Sequence, residues 1–121
     1  MKISKILGSL VLFAGSLLAI DPVSNLSSTT HTTSEVSSTA AMTFSWTPPT
    51  TQPTKYFYVL DTVSTTLPVS SVSKVELDNS VAKSSVVVTA PASGDYFFHI
   101  QSVDDGGSTS TVVHSQTAYT L

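Results

Sequence analysis

Met42-Thr43-Phe44-Ser45-Trp46-Thr47-Pro48-Pro49 is the stretch on which the fold turns. Its large apolar side chains occupy every second position. Successive side chains of a strand point to opposite faces, so Met42, Phe44 and Trp46 line one face. Pro48-Pro49 cannot donate to a ladder and ends the strand. A second run, Tyr96-Phe97-Phe98-His99-Ile100, alternates in the same way and places Tyr96, Phe98 and Ile100 together. Two strands with aromatic inward faces predict a core between two sheets. Burial contributes about 1.5–3 kcal/mol per large apolar side chain in transfer terms, which is how a chain without cysteine holds together.

Working outward, β-branched and aromatic runs recur roughly every ten to fifteen residues, with no amphipathic helical stretch between them. Strands are expected at Val23–Thr29, Ala40–Thr47, Lys55–Val63, Ser71–Leu77, Ser84–Thr89, Tyr96–Val103 and Thr109–Thr120. That is a seven-stranded antiparallel β-sandwich. Asp78-Asn79 and Ser93-Gly94 are turn formers. The segment from Ser27 to Ser38 is nearly all Ser and Thr, and reads either as a long exposed loop or as a frayed edge.

The chain has 121 residues and a net charge of −3. With so few charges there is no basic stripe to neutralise phosphates, which argues against a nucleic-acid partner. The absence of cysteine excludes disulfides, thiolate metal sites and cysteine catalysis. Serine and threonine make up about a third of the chain, a composition that suits exposed β faces. At the N-terminus, Lys2 and Lys5 precede an apolar run from Ile6 to Ile20, and the first acidic residue is Asp21. This is the profile of a secretory signal peptide of bacterial type. The run falls short of the roughly 20 residues needed to span a bilayer. The expected organisation is a signal peptide over 1–20 and one β-sandwich domain over 21–121. The expected location is secreted, periplasmic or at the cell surface, with no stable membrane span after cleavage.

Three strings, Phe44-Ser45-Trp46-Thr47-Pro48-Pro49, Tyr56-Phe57-Tyr58-Val59-Leu60-Asp61 and Gly94-Asp95-Tyr96 through Asp104, together resemble the fibronectin type III-like (immunoglobulin-like) repeats of bacterial surface and secreted proteins. The resemblance covers almost all of the chain beyond the export segment. It implies a fold that hosts adhesion, spacing and ligand binding alike, so it points to no single activity. It also implies that Tyr96 is a tyrosine-corner residue, with its hydroxyl bonded to a nearby backbone group. Gly106-Gly107 departs from the family, whose repeats often carry Gly-Asn after the aspartate.

If Gly106-Gly107 is a two-residue primed turn, Asp105 faces Ser108 and His99 faces His114 on the outward side of the last hairpin. Directly opposed residues have Cβ atoms about 4.5–5.5 Å apart. His99 and His114 are therefore a two-ligand metal candidate, set against the plainer reading of two polar residues on a sheet. A longer turn would put Val112 opposite His99. The Asp104–Ser108 turn carries carboxylates but lacks the ligand spacing of a calcium loop. No nucleophile elbow accompanies the serines, histidines and aspartates, so no catalytic residue and no cofactor is assigned. Asn25-Leu26-Ser27 matches a glycosylation sequon. The remaining candidate is a surface: if Tyr58 and Leu60 point inward, Phe57, Val59, Phe97, His99, Val112 and His114 are expected on one outward face, more apolar than a solvated sheet requires, whereas a one-residue shift of the third strand would expose Tyr56 and Tyr58 instead. The expected function is a non-enzymatic secreted or cell-surface interaction or structural module with a protein or glycan partner. The alternatives are a carbohydrate-binding accessory module, disfavoured by a buried Trp, and a fimbrial-type subunit, disfavoured by a complete strand count.

Overall fold

The structure, a computed structural model, describes residues 20–115 and 117–121; residues 1–19 of the expected signal peptide lie outside them. Among the described residues there are eight strands: β1 (Ser24–Ser28), β2 (Ala41–Thr47), β3 (Lys55–Asp61), β4 (Val75–Asp78), β5 (Ser85–Thr89), β6 (Asp95–Val103), β7 (Val113–His114) and β8 (Tyr119–Thr120). They form two antiparallel sheets, β1-β2-β5 and β4-β3-β6-β7, with β8 also paired on β6. No helix among the described residues is long and apolar enough to cross a membrane.

The all-β sandwich is as expected, and the strand count is eight rather than seven. The single last strand expected over Thr109–Thr120 is two short ones. Val113 and His114 pair with Ile100 and His99, and the chain then returns to pair Tyr119 with Tyr96, where Tyr119 is buried. The expected strand Ser71–Leu77 also starts later, at Val75. Proline holds φ near −65°, which suits a tight turn, and Pro68–Ser70 forms a 3-10 turn closed by the Ser71 amide donating to the Pro68 carbonyl at 3.0 Å. Val72 is left fully exposed. The Ser/Thr-rich stretch after β1 is organised by His31, which is buried and bonded through Nε2 to the Thr39 carbonyl at 2.7 Å and through Nδ1 to Thr30 Oγ1 at 2.8 Å.

Between the sheets, Met42, Phe44 and Trp46 of β2 meet Tyr56 and Tyr58 of β3 and Phe98 and Ile100 of β6. The Phe44 and Phe98 rings stack with centroids 4.2 Å apart and planes 9° from parallel. Tyr119 meets Phe44 edge-on, Tyr58 stacks on Phe98, and Trp46 meets Tyr56 edge-on. Such pairs add about 0.5–1.5 kcal/mol each beyond their burial. Burial pushes the Tyr56, Tyr58 and Tyr119 phenols up, so they stay neutral in the core. The Tyr96 hydroxyl donates to the Ala92 carbonyl at 2.8 Å, as the resemblance implies. This bond pins the turn that carries Gly94, whose φ of +155° favours glycine.

Because Phe44 and Phe98 have no exposure at all, Phe44→Ala or Phe98→Ala is expected to cost about 3–5 kcal/mol of stability. Urea denaturation followed by Trp46 fluorescence checks this. The same experiment is expected to show blue-shifted emission in the native state, and a water-like maximum would overturn the placement of Trp46 between the sheets.

Candidate functional site

The outward face of the β4-β3-β6-β7 sheet carries Phe57, Val59, Phe97, His99 and His114, singled out from the sequence; Val112 lies just before β7, outside any strand. Ladder register sets Phe57 opposite Gln101, Val59 opposite His99 and Asp61 opposite Phe97 on β3 and β6, and His99 opposite His114 on β6 and β7. These side chains share a face, as alternation requires. They do not form an open surface. Phe57, Val59 and His99 are buried, while Phe97, Val112 and His114 are half-buried.

The cover is the connection between β3 and β4. Its 3-10 turn packs on β3 and β6, Pro68 is buried, and the Val69 amide donates to Gln101 Oε1 at 3.2 Å. Gln101 is itself held by donating through Nε2 to the Ser110 carbonyl at 2.8 Å. Two ammonium groups, Lys55 and Lys74, sit 5.3 Å from the centroid of the Phe57 ring, and Lys55 also pairs with Glu76 at 2.9 Å. Phe57 is thus part of the floor of a groove of about 620 Å³ whose walls include Val69, Lys74, Glu76 and Asp105. On this side of the molecule the large apolar residues that reach solvent include Val63, Leu67, Val69 and Val72 of the covering segment, continued by Val75 of β4.

Beneath this cover runs a linear polar chain. The Asp61 carboxylate accepts from Thr66 Oγ1 at 2.5 Å, from the Val63 amide at 3.1 Å and from His99 Nε2 at 2.9 Å. His99 Nδ1 then lies 2.7 Å from His114 Nδ1, with the two rings edge to face. Burial alone would raise the Asp61 carboxyl. The Thr66, His99 and Val63 hydrogen bonds and the His99 charge outweigh it and hold Asp61 below the ordinary carboxylate value. His114 is held below the ordinary histidine value, first by burial and then by repulsion from His99, with Asp61 opposing both.

The three groups are in series rather than convergent, since Asp61 meets His99 on the ring edge away from His114. Two nitrogens bound to one tetrahedral zinc at about 2.0–2.1 Å would stand about 3.3 Å apart, so 2.7 Å is the geometry of a shared proton. Among the described residues no group of three or more metal-ligating side chains is assembled. Sequence reasoning brought the two histidines together but missed Asp61 and Thr66. The signal was present in the alternation of β3, which puts Asp61 two residues from Val59 and so on the same outward face as His99.

The hairpin joining β6 to β7 differs from the expected two-residue turn. The Gly107 amide donates to the Asp104 carbonyl, the Asp104 amide to the Ser108 carbonyl, and Val103 bridges Thr109. The tip is therefore Asp105-Gly106-Gly107, with Gly107 at φ +84°. One extra residue between Thr109 and Val113 then restores the pairing of His99 with His114. The Asp104 carboxylate caps the tip by accepting from the Gly106 and Ser108 amides, both at 3.0 Å.

Asp61→Asn replaces an acceptor of three hydrogen bonds and is expected to cost about 1–3 kcal/mol near neutral pH. Asp61 has a lowered folded-state value, so its contribution is present above the unfolded carboxylate range and is lost as pH falls through the folded value. The stability gap between wild type and Asp61→Asn, read from urea titrations at a series of pH values, is therefore expected to narrow below about pH 4.

Neither a family model nor a curated protein sequence matches the chain. Among solved structures, the chain is similar to the fibronectin type III domain of human collagen XX. The match has 22% sequence identity and a TM-score of 0.53, and covers 80% of this chain and 96% of that one. Together with the two-sheet topology, the interlocked aromatic core and the tyrosine corner, this shows a fibronectin type III-like fold.

Proposed function

We propose that the protein is an exported, non-enzymatic interaction module that engages a protein partner through the segment covering the β3–β6 face. The observation that carries this reading is the concentration of solvent-facing aliphatic side chains on one short segment. Val63, Leu67, Val69 and Val72 project from a connection whose backbone is anchored from below by Pro68 and Gln101. Apolar groups on a held backbone lose little entropy on docking, which favours association. The Lys74 and Glu76 side chains on the adjoining groove wall supply a polar rim. The fibronectin type III-like fold is usually a non-catalytic module, which fits this reading. Export and a surface or periplasmic location rest on the Lys2–Ile20 pattern.

A carbohydrate module has less support. Sugar platforms present exposed Trp or Tyr rings, whereas Trp46, Tyr56, Tyr58, Tyr96 and Tyr119, every Trp and Tyr of the chain, are buried.

The test is capture of partners from envelope and medium extracts by the wild-type protein and by Leu67→Ser/Val72→Ser, which alters exposed residues only. The expected result is a partner retained by wild type, lost by this variant, and kept by Val36→Ser/Val87→Ser, which changes exposed valines elsewhere. Equal retention by all three proteins would remove the segment from the reading.

A further inference from the structure

We infer that His99, His114 and Asp61 form a proton-operated clasp: the pair accepts a first added proton in place, and a second one releases β7 from the sheet. The argument begins with the contact itself. Two imidazole nitrogens 2.7 Å apart need one proton between them, because one nitrogen must donate and the other accept. His99 Nε2 faces a carboxylate, which only accepts, so that nitrogen carries a proton. In the neutral pair His99 Nδ1 therefore accepts and His114 Nδ1 donates.

Adding one proton keeps every bond. The added proton goes to His114 Nε2 while the shared proton crosses from His114 Nδ1 to His99 Nδ1; His99 then donates from both nitrogens, to Asp61 and to His114, and the new positive charge lies 2.9 Å from Asp61 Oδ1. A second proton leaves two N–H groups aimed at each other at 2.7 Å with no acceptor between them, and two positive charges in a covered site. Local relief requires the rings to part. His99 is fully buried on the nine-residue β6, whereas His114 is half-buried on a strand of two residues, so β7 is the element that yields.

The groups facing the pair from each packed element are consistent with this. β3 supplies Asp61, the one carboxylate in contact with the pair among the described residues, with Val59 beside it; β6 supplies Phe97 and Gln101, which carry no charge; β1, packed on β7, supplies the uncharged Leu26, with Thr33 of the following loop in the same hollow; the covering connection supplies Thr66, bonded to Asp61. One negative charge offsets one imidazolium, not two. The lowered His114 value agrees with the geometry. Its sign follows: a folded value below the unfolded one means that the unfolded chain binds more protons below about pH 6.5, so stability falls as pH drops through that range. Release has a structural consequence, because Val113 of β7 packs against the core and the Ser115 amide is bonded to the Phe98 carbonyl at 2.9 Å.

The experiment is NMR on the purified protein from about pH 7.5 to about pH 5, following the imidazole nitrogens and the exchange protection of the Ser115 amide after correction for intrinsic rate. The expected result is a loss of Ser115 protection of about tenfold or more that tracks protonation of His114. The Trp46 amide, which bonds the Ser84 carbonyl on the other sheet, is expected to stay protected. His114→Gln, which keeps a polar side chain at the half-exposed position and leaves His31 untouched, is expected to abolish the acid response. Unchanged Ser115 protection in wild type, or the same loss in His114→Gln, would overturn the clasp.

Discussion

The stacked contact between Phe44 of β2 and Phe98 of β6 is the joint on which the molecule depends. One ring comes from each sheet, and their near-parallel packing at 4.2 Å sets where the sheets lie against each other. Tyr119 and Tyr58 pack around the same pair, so β8 and β3 are oriented by it. With no cysteine in the sequence, this interlock of aromatics takes the part that a covalent link between sheets would play. Close packing of this sort tolerates little change in volume.

β6 is central in a second sense. Its inward side chains build the core, and of its outward ones His99, Gln101 and Val103 are also buried, the β3–β4 connection packing on this strand. A third layer of this kind is thin and must be tied down by polar contacts rather than by area. Gln101 and Asp61 do this, each bonding a backbone amide of the connection as well as another group on the sheet. The cost is that polar and titratable groups are drawn under cover, where each needs a partner. The Asp61–His99–His114 chain meets that need with one carboxylate and one shared proton. It also links the packing of the cover to the electrostatics of β7 through a single connected set of bonds.

The same geometry decides which apolar residues face solvent. Had the β3–β4 connection stayed clear of the sheet, Phe57, Val59 and Phe97 would form an apolar face. Since it does not, the aliphatics exposed over this face are mainly those of the connection itself. The interaction surface is therefore displaced outward by one layer, from strand residues to loop residues, while the lysines over Phe57 close its remaining edge.

Alternation alone determined the inward face: Met42, Phe44, Trp46, Tyr96, Phe98 and Ile100 were legible because a strand has a period of two and aromatics at that period need a core. The tyrosine corner followed from the resemblance. The partnership of His99 and His114 was also legible, though through a turn one residue shorter than the real one, and the irregularity between Thr109 and Val113 returned the register to the same place. What only the tertiary structure decided was the fate of the outward face. Period-two patterning says which residues share a side of a sheet and nothing about whether a distant loop lies over it. Gln101 reaches the Val69 amide across 32 residues and Asp61 reaches His99 across 38, and contacts at that range come from how the chain folds back in space rather than from any local spacing.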